Sequence, residues 1–244
     1  MADALWRDVG GQLLWAVVAI GAAPLLLPGR SLSERLRLGP GRLGSARLGV
    51  ALVGFLALSN GVHRAIVWLA LFEGTTLAQI DQVVREASPI HPLLVWVAIG
   101  LAPALGEELL FRGLLLRWLA LRLAGPGAVL GSAALFGIAH LDPVHGAAAF
   151  LLGAYLGALA WRAGSVRAAM LCHGVNNMLA VLGAEGLAPE LGGAGDPWQA
   201  ALALALAAGC LAAALRLQPG APSADASDVP RGPDEEEFTD PDRR

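Results

Sequence analysis

The chain has no lysine: all 17 basic residues are arginine, set against 20 acidic ones for a formal net charge of −3. Beside so much alanine, leucine and glycine, this usage reads as GC-rich coding of a bacterial kind rather than as a functional bias. Charge of either sign is scarce. Only 15% of residues are charged and 56% are hydrophobic, with a mean hydropathy of +0.60, where a soluble domain carries about a quarter charged. That deficit excludes an ordinary soluble domain, and no nucleic-acid partner is expected. Cysteine is limited to Cys172 and Cys210, both in apolar runs. A disulfide framework and a CxxC site are thereby excluded, and both read as small buried residues. Short alternating segments are missing too, which excludes a membrane β-barrel. A His-Glu-x-x-His helix is missing, which excludes the commonest zinc-peptidase signature.

What is present is a series of apolar runs near 20 residues. They fall at roughly 9–27, 48–72, 93–119, 127–141, 144–161, 168–182 and 198–215. Runs of that length predict an all-α, polytopic transmembrane bundle of about seven spans. The first run could be taken for a signal peptide, with Gly21-Ala22-Ala23 as a cleavage site. However, Arg7 lies among Asp3 and Asp8 rather than in a basic leader, so a retained span is expected. The second run carries Asn60, His63 and Arg64, which either line the protein interior or mark a break at Gly61. The connector 73–92 is mildly acidic and suggests a short amphipathic turn.

Arginine bias sets the orientation. With the N-terminus outside, the inner connectors hold Arg30 to Arg47, Arg117 with Arg122, Arg162 with Arg167, and Arg216. The outer connectors hold Arg85 and several acids, including Glu185, Glu190 and Asp196. From residue 218 the composition turns to Pro, Asp, Glu and Ser, which cannot bury a core and predicts a disordered acidic cytoplasmic tail. The expected divisions are 1–91 for the N-terminal spans, 92–217 for a catalytic membrane core and 218–244 for the tail, in a multi-pass protein of a bacterial inner membrane.

One stretch interrupts the third run: Glu107, Glu108 and Arg112. Each such charge costs several kcal/mol in a membrane helix unless paired or facing a wet cavity. Glu108 and Arg112 are four apart and share a face, so they pair. Glu107 lies about 100° round the helix with no cation at helical spacing. An unpaired carboxylate in a low-dielectric site suits a general base. Glu108 and Arg112 are therefore expected to hold structure while Glu107 does chemistry; a salt-bridge knot at a bend after Pro103 is the plainer alternative. Further along, Phe136 and His140 end the fourth run, and His173 and Asn177 share one face of the sixth. A carboxylate, two imidazoles and an amide can activate water, return a proton to a leaving amine and stabilise an oxyanion. At about 1.5 Å per residue, His140 lies roughly 20 Å from the cytoplasmic end of its helix, His173 about 9 Å and Asn177 about 15 Å. Tilted or staggered helices are needed to bring them together.

The ordered set Glu107-Glu108-Leu109-Leu110-Phe111-Arg112, Phe136-Gly137-Ile138-Ala139-His140 and His173-Gly174-Val175-Asn176-Asn177 resembles the CPBP family of intramembrane endopeptidases. That family includes CAAX prenyl proteases of the Rce1 type and bacteriocin-processing or immunity proteins. The Phe-Arg-Gly that often follows the paired acids stands at 111–113, and the resemblance covers about 92–181. It implies peptide-bond hydrolysis without a covalent intermediate or a cofactor. Glu107 would activate water with help from His140, and His173 and Asn177 would stabilise the tetrahedral intermediate. Glu108, Arg112 and Phe136 would support them. The implied partners are a lipid bilayer and a peptide or protein substrate, such as a membrane-anchored peptide or a bacteriocin-like precursor. Three alternatives stand beside it. Glu107, His140 and His173 could ligate zinc, leaving an open position. The motifs could serve a non-catalytic scaffold or immunity protein. Intramembrane acids and histidines also mark transporters, although no inverted repeat is visible.

Overall fold

The structure is a computed structural model and describes residues 2–29, 31–187 and 197–216. Arg30, the loop acids Glu190 and Asp196, and the acidic tail 218–244 lie outside the described residues. Among the described residues every regular element is a helix. Helix α1 spans Ala2–Leu26, α2 Leu32–Arg35, α3 Ser45–Trp68 and α4 Thr76–Ala87. One continuous helical run, α5, covers Pro92–Ala120. Then come α6 Gly125–Ala139, α7 Pro143–Ala163, α8 Arg167–Ala184 and α9 Pro197–Arg216. The all-α polytopic bundle expected from the apolar runs is the fold observed.

Sequence punctuation explains the boundaries. Pro92, Pro126, Pro143 and Pro197 sit in first turns, where a missing N–H costs nothing. Ser31 and Glu34 make a reciprocal capping box on α2. Arg35 of α2 donates to the carbonyls of Pro24 and Leu27, satisfying orphan acceptors at the end of α1. Gly164 stops α7 in the left-handed conformation (φ 64°).

Five segments are long and apolar enough to cross a membrane: α1 from Leu5 to Leu26, α3, α5, α7, and α9 from Pro197 to Leu215. The other two expected spans are helical but differ in kind. Helix α6 has 15 residues, about 22 Å against a hydrocarbon core of about 30 Å. Helix α8 has 18 residues but carries Arg167, His173, Asn176 and Asn177, which dilute its apolar character. The connector expected to hold a short turn is the 12-residue amphipathic helix α4. Helix α3 runs unbroken through Gly61, which is buried against Ala200, Ala203 and Leu204 of α9. Arg64 there donates to Asn60 and Gln199 at 2.9 and 2.6 Å, so these polar groups line the interior.

Hydrogen bonds sort the connectors into two ends. The segment after α2 is tied to the α7–α8 turn: Val166 N–H donates to Arg37 O, Ser165 Oγ to Gly39 O and Arg167 Nε to Leu38 O. At the opposite end α4 meets the α6–α7 corner through the Thr76 N–H to Asp142 bond, and meets the end of α8 where Ser88 donates to Glu185. The arginine-rich connectors therefore gather at one end.

The core lies in packed seams. Phe55, Leu116, Tyr155, Leu156, Leu159 and Cys172 fill one between α3 and α5 to α8. A second joins Ala19, Ala23 and Leu27 of α1 to Leu110, Phe111 and Leu114 of α5 and Phe136 of α6. Both cysteines are free thiols.

Candidate active site

Helix α5 is the spine of the site, and its winding is irregular. Two segments, Trp96–Leu101 and Leu109–Leu115, are π-wound, and they flank the α-helical piece Ala102–Glu108 that carries both acids. Wide turns loosen the backbone ladder, and side chains from neighbouring helices pick up the carbonyls. Ser132 of α6 donates to Phe111 O at 2.7 Å, and Asn177 of α8 donates to Ile99 O at 3.3 Å. The two π segments are thus the places where α6 and α8 are fastened to α5.

Glu108 and Arg112 form the pair their spacing predicts, at 2.8 Å with both side chains fully buried. The guanidinium also donates to Gly153 O of α7 at 3.2 Å and lies 4.5 Å from the Phe136 ring centre. A Cβ at Gly153 would come within 2.9 Å of that ring and 3.1 Å of the guanidinium, so the backbone approach there needs glycine. Glu108 has a second partner. His173 Nδ1 lies 2.9 Å from the same Glu108 oxygen that receives Arg112. A carboxylate only accepts, so Nδ1 carries the hydrogen and the opposite nitrogen, Nε2, is turned outward as an acceptor. That Nε2 faces Glu107 Oε2 at 3.9 Å. The gap exceeds a direct hydrogen bond and suits two groups bridged by one water.

Exposure separates the two halves. The Glu107 and His173 side chains retain 13% and 11% of their surface, while Glu108 and Arg112 retain none. The outer carboxylate and the outer imidazole nitrogen thus sit at a rim, and the ion pair is sealed beneath them.

Phe136 is the hinge between this cluster and His140. Its ring stands edge-on to His140 at 4.8 Å, His173 at 6.3 Å and Phe111 at 5.0 Å. His140 Nδ1 donates to Phe136 O at 2.8 Å, and its ring meets His145 at 4.2 Å. The α6–α7 corner that holds it turns through Leu141 at φ 56°. Asp142 then caps α7 by accepting the His145 N–H at 2.7 Å, and also accepts the Thr76 N–H at 3.0 Å. These two bonds, with the His145 bond the larger cause, hold the Asp142 carboxyl below its ordinary value. The depth difference expected between His140 and His173 is spanned by the Phe136 ring, which meets both imidazoles edge-on.

The structure brings Glu107, Glu108, Arg112, Phe136 and His173 together and joins His140 through the Phe136 ring. Asn177 sits on the same helix face as His173, with one amide hydrogen engaged by Ile99 O. Among the described residues no three His, Cys, Asp or Glu side chains are gathered so as to hold a metal ion. The zinc alternative on Glu107, His140 and His173 therefore lacks an assembled ligand set. One neighbour escaped the sequence reading. Gln12 of α1 donates its amide Nε2 to Glu107 Oε1 at 2.9 Å. The available signal was a lone amide within the first apolar run.

Residues 89–179 match the family model of type II CAAX prenyl endopeptidase, Rce1-like. No curated protein and no solved structure matches the chain. The matched segment runs from just before α5 into α8 and holds every site residue named from the sequence. Residues 89–179 are thus similar to an Rce1-like protease domain, in a bundle with helices fit to cross a membrane. Such a domain acts on a peptide or protein.

Proposed function

We propose that this Rce1-like chain is an intramembrane endopeptidase that hydrolyses a peptide bond with water activated by Glu107. The observation that carries the reading is the 3.9 Å gap between Glu107 Oε2 and His173 Nε2 at the rim of a sealed ion pair. A water hydrogen-bonded to both groups loses its proton to Glu107 as it attacks the scissile carbonyl. Glu107 passes that proton to His173 Nε2, whose ring is held by Glu108 through Nδ1. The imidazolium gives it to the leaving amine, returning both groups to their starting state. The remaining hydrogen of the Asn177 amide serves the developing oxyanion. His140, with its Nδ1 hydrogen on Phe136 O, presents its other nitrogen as an acceptor that helps hold the water. Glu108 and Arg112 keep the His173 ring in one orientation. No cofactor enters this scheme. The substrate proposed is a membrane-anchored or membrane-inserted peptide, cleaved within the bilayer of a bacterial inner membrane.

The test compares protein termini in membranes of wild-type cells and cells carrying Glu107→Gln, which keeps the side-chain volume and loses the base. Removing a general base costs about 10²- to 10⁴-fold in rate. A set of new termini is therefore expected in wild type and missing in the variant, with the variant accumulating to normal levels. Identical termini in both strains would refute the proposal. Cleavage by the purified protein is expected to survive a strong chelator. Loss on chelation with recovery on added zinc would instead favour the Glu107, His140 and His173 ligand set.

A further inference from the structure

We infer that Gln12 is a positioning residue for the Glu107 carboxylate, supplied by a helix outside the Rce1-like segment. The inference rests on the reading of Glu107 as the base. Its starting point is that each Glu107 oxygen has a different neighbour. Oε1 receives the Gln12 amide at 2.9 Å, and Oε2 faces His173 Nε2 at 3.9 Å. A carboxylate turns about soft terminal torsions, so a fixed donor on one oxygen decides where the other points. With Gln12 in place, Oε2 is aimed at the imidazole. Without it, the plane of the carboxylate is undetermined.

The seating of Gln12 is fixed by backbone, not by the amide alone. Helix α1 crosses α5 at Gly106, the residue before Glu107, where a Cβ would stand 2.2 Å from the Gln12 carbonyl oxygen. Trp15, one turn further on, meets the Phe111 ring edge-on at 6.5 Å, and Ala19, Ala23 and Leu27 continue the seam. The crossing therefore brings position 12 against position 107 whatever side chain stands there.

The chemistry at the amide argues against simple packing. Gln12 Oε1 is buried and has no hydrogen-bond partner among the described residues. An acceptor left in that state is unfavourable, and a methionine of similar size would avoid it. What the amide contributes is a donor to Glu107, and a donor to an ionised acceptor is among the stronger hydrogen bonds.

The test uses the full-length protein in lipid and a peptide spanning a cleavage found by the terminus comparison. Gln12→Met keeps length and bulk and removes the donor. Loss of the fixed aim of Oε2 toward the water predicts a kcat about ten- to a hundredfold lower, since a misplaced reacting group costs up to about 10²-fold. KM should stay within about twofold and the melting temperature should not change. A purely structural role would lower the melting temperature and leave kcat per folded molecule intact. Should Gln12→Met fail to fold, Gln12→Asn, whose donor falls one methylene short, is read in the same way. Wild-type kcat in the folded variant, with Glu107→Gln inactive, overturns the role of Gln12 and leaves the base reading standing. An active Glu107→Gln overturns both.

Discussion

At the scale of single residues, the Glu108–Arg112 pair has the most definite energetic signature. Both side chains are fully buried, and Glu108 Oε2 and Arg112 Nε lack hydrogen-bond partners among the described residues. A buried pair satisfied so incompletely is weak evidence for stability, yet removing one partner strands the other. Arg112→Met is expected to destabilise by about 3–5 kcal/mol, read as a lower melting temperature in detergent. Glu108→Gln with Arg112→Met together should cost less than the sum of the two single changes. Strict additivity would mean that the charges do not communicate. This pair was legible in the sequence because four residues on a helix define one face. The His173–Glu108 bond, spanning 65 positions, and the Gln12–Glu107 bond, spanning 95, were not. Spacing along one helix says nothing about which neighbour crosses it, or where.

At the scale of elements, the crossing of α1 over α5 is what local pattern could not reveal. Its notch is testable without touching a charged group. Gly106→Ala places a methyl against the Gln12 backbone and is expected to cost about 1–3 kcal/mol, together with activity, as α1 is pushed off. Gly49→Ala in α3 is the matched control, since a Cβ there meets nothing within 4 Å; it should leave melting temperature and activity intact or slightly raise stability. Equal effects of the two changes would remove the crossing from the explanation. The winding of α5 was hidden for a related reason. π-turns carry no residue signature, and here they are located by Ser132 and Asn177 reaching across to Phe111 and Ile99. The short reach of α6, by contrast, could be counted directly from Gly125 to the Asp142-Pro143 break.

At the scale of the whole molecule, the all-helical nature of the bundle followed from apolar run length, a property that needs no partner to be read. Of the seven expected runs, five are helices long and apolar enough to cross a membrane. The arginine pattern anticipated that the loops near Arg37 and Arg167 share one end, and hydrogen bonds join them. Which end faces the cytoplasm is open to a direct measurement. In a protein with Cys172→Ala and Cys210→Ala, cysteines placed at the exposed positions Ser33 and Gln79 report opposite ends. With the N-terminus outside, an impermeant maleimide should label position 79 on intact cells, and position 33 only after the membrane is opened. The reverse pattern would invert the assignment. The imidazole of His173 has one nitrogen committed inside the seal and the other at the rim. Under the proposed mechanism, a proton passed to that ring leaves on the side from which it came. That mechanism thus loads and unloads charge through one doorway.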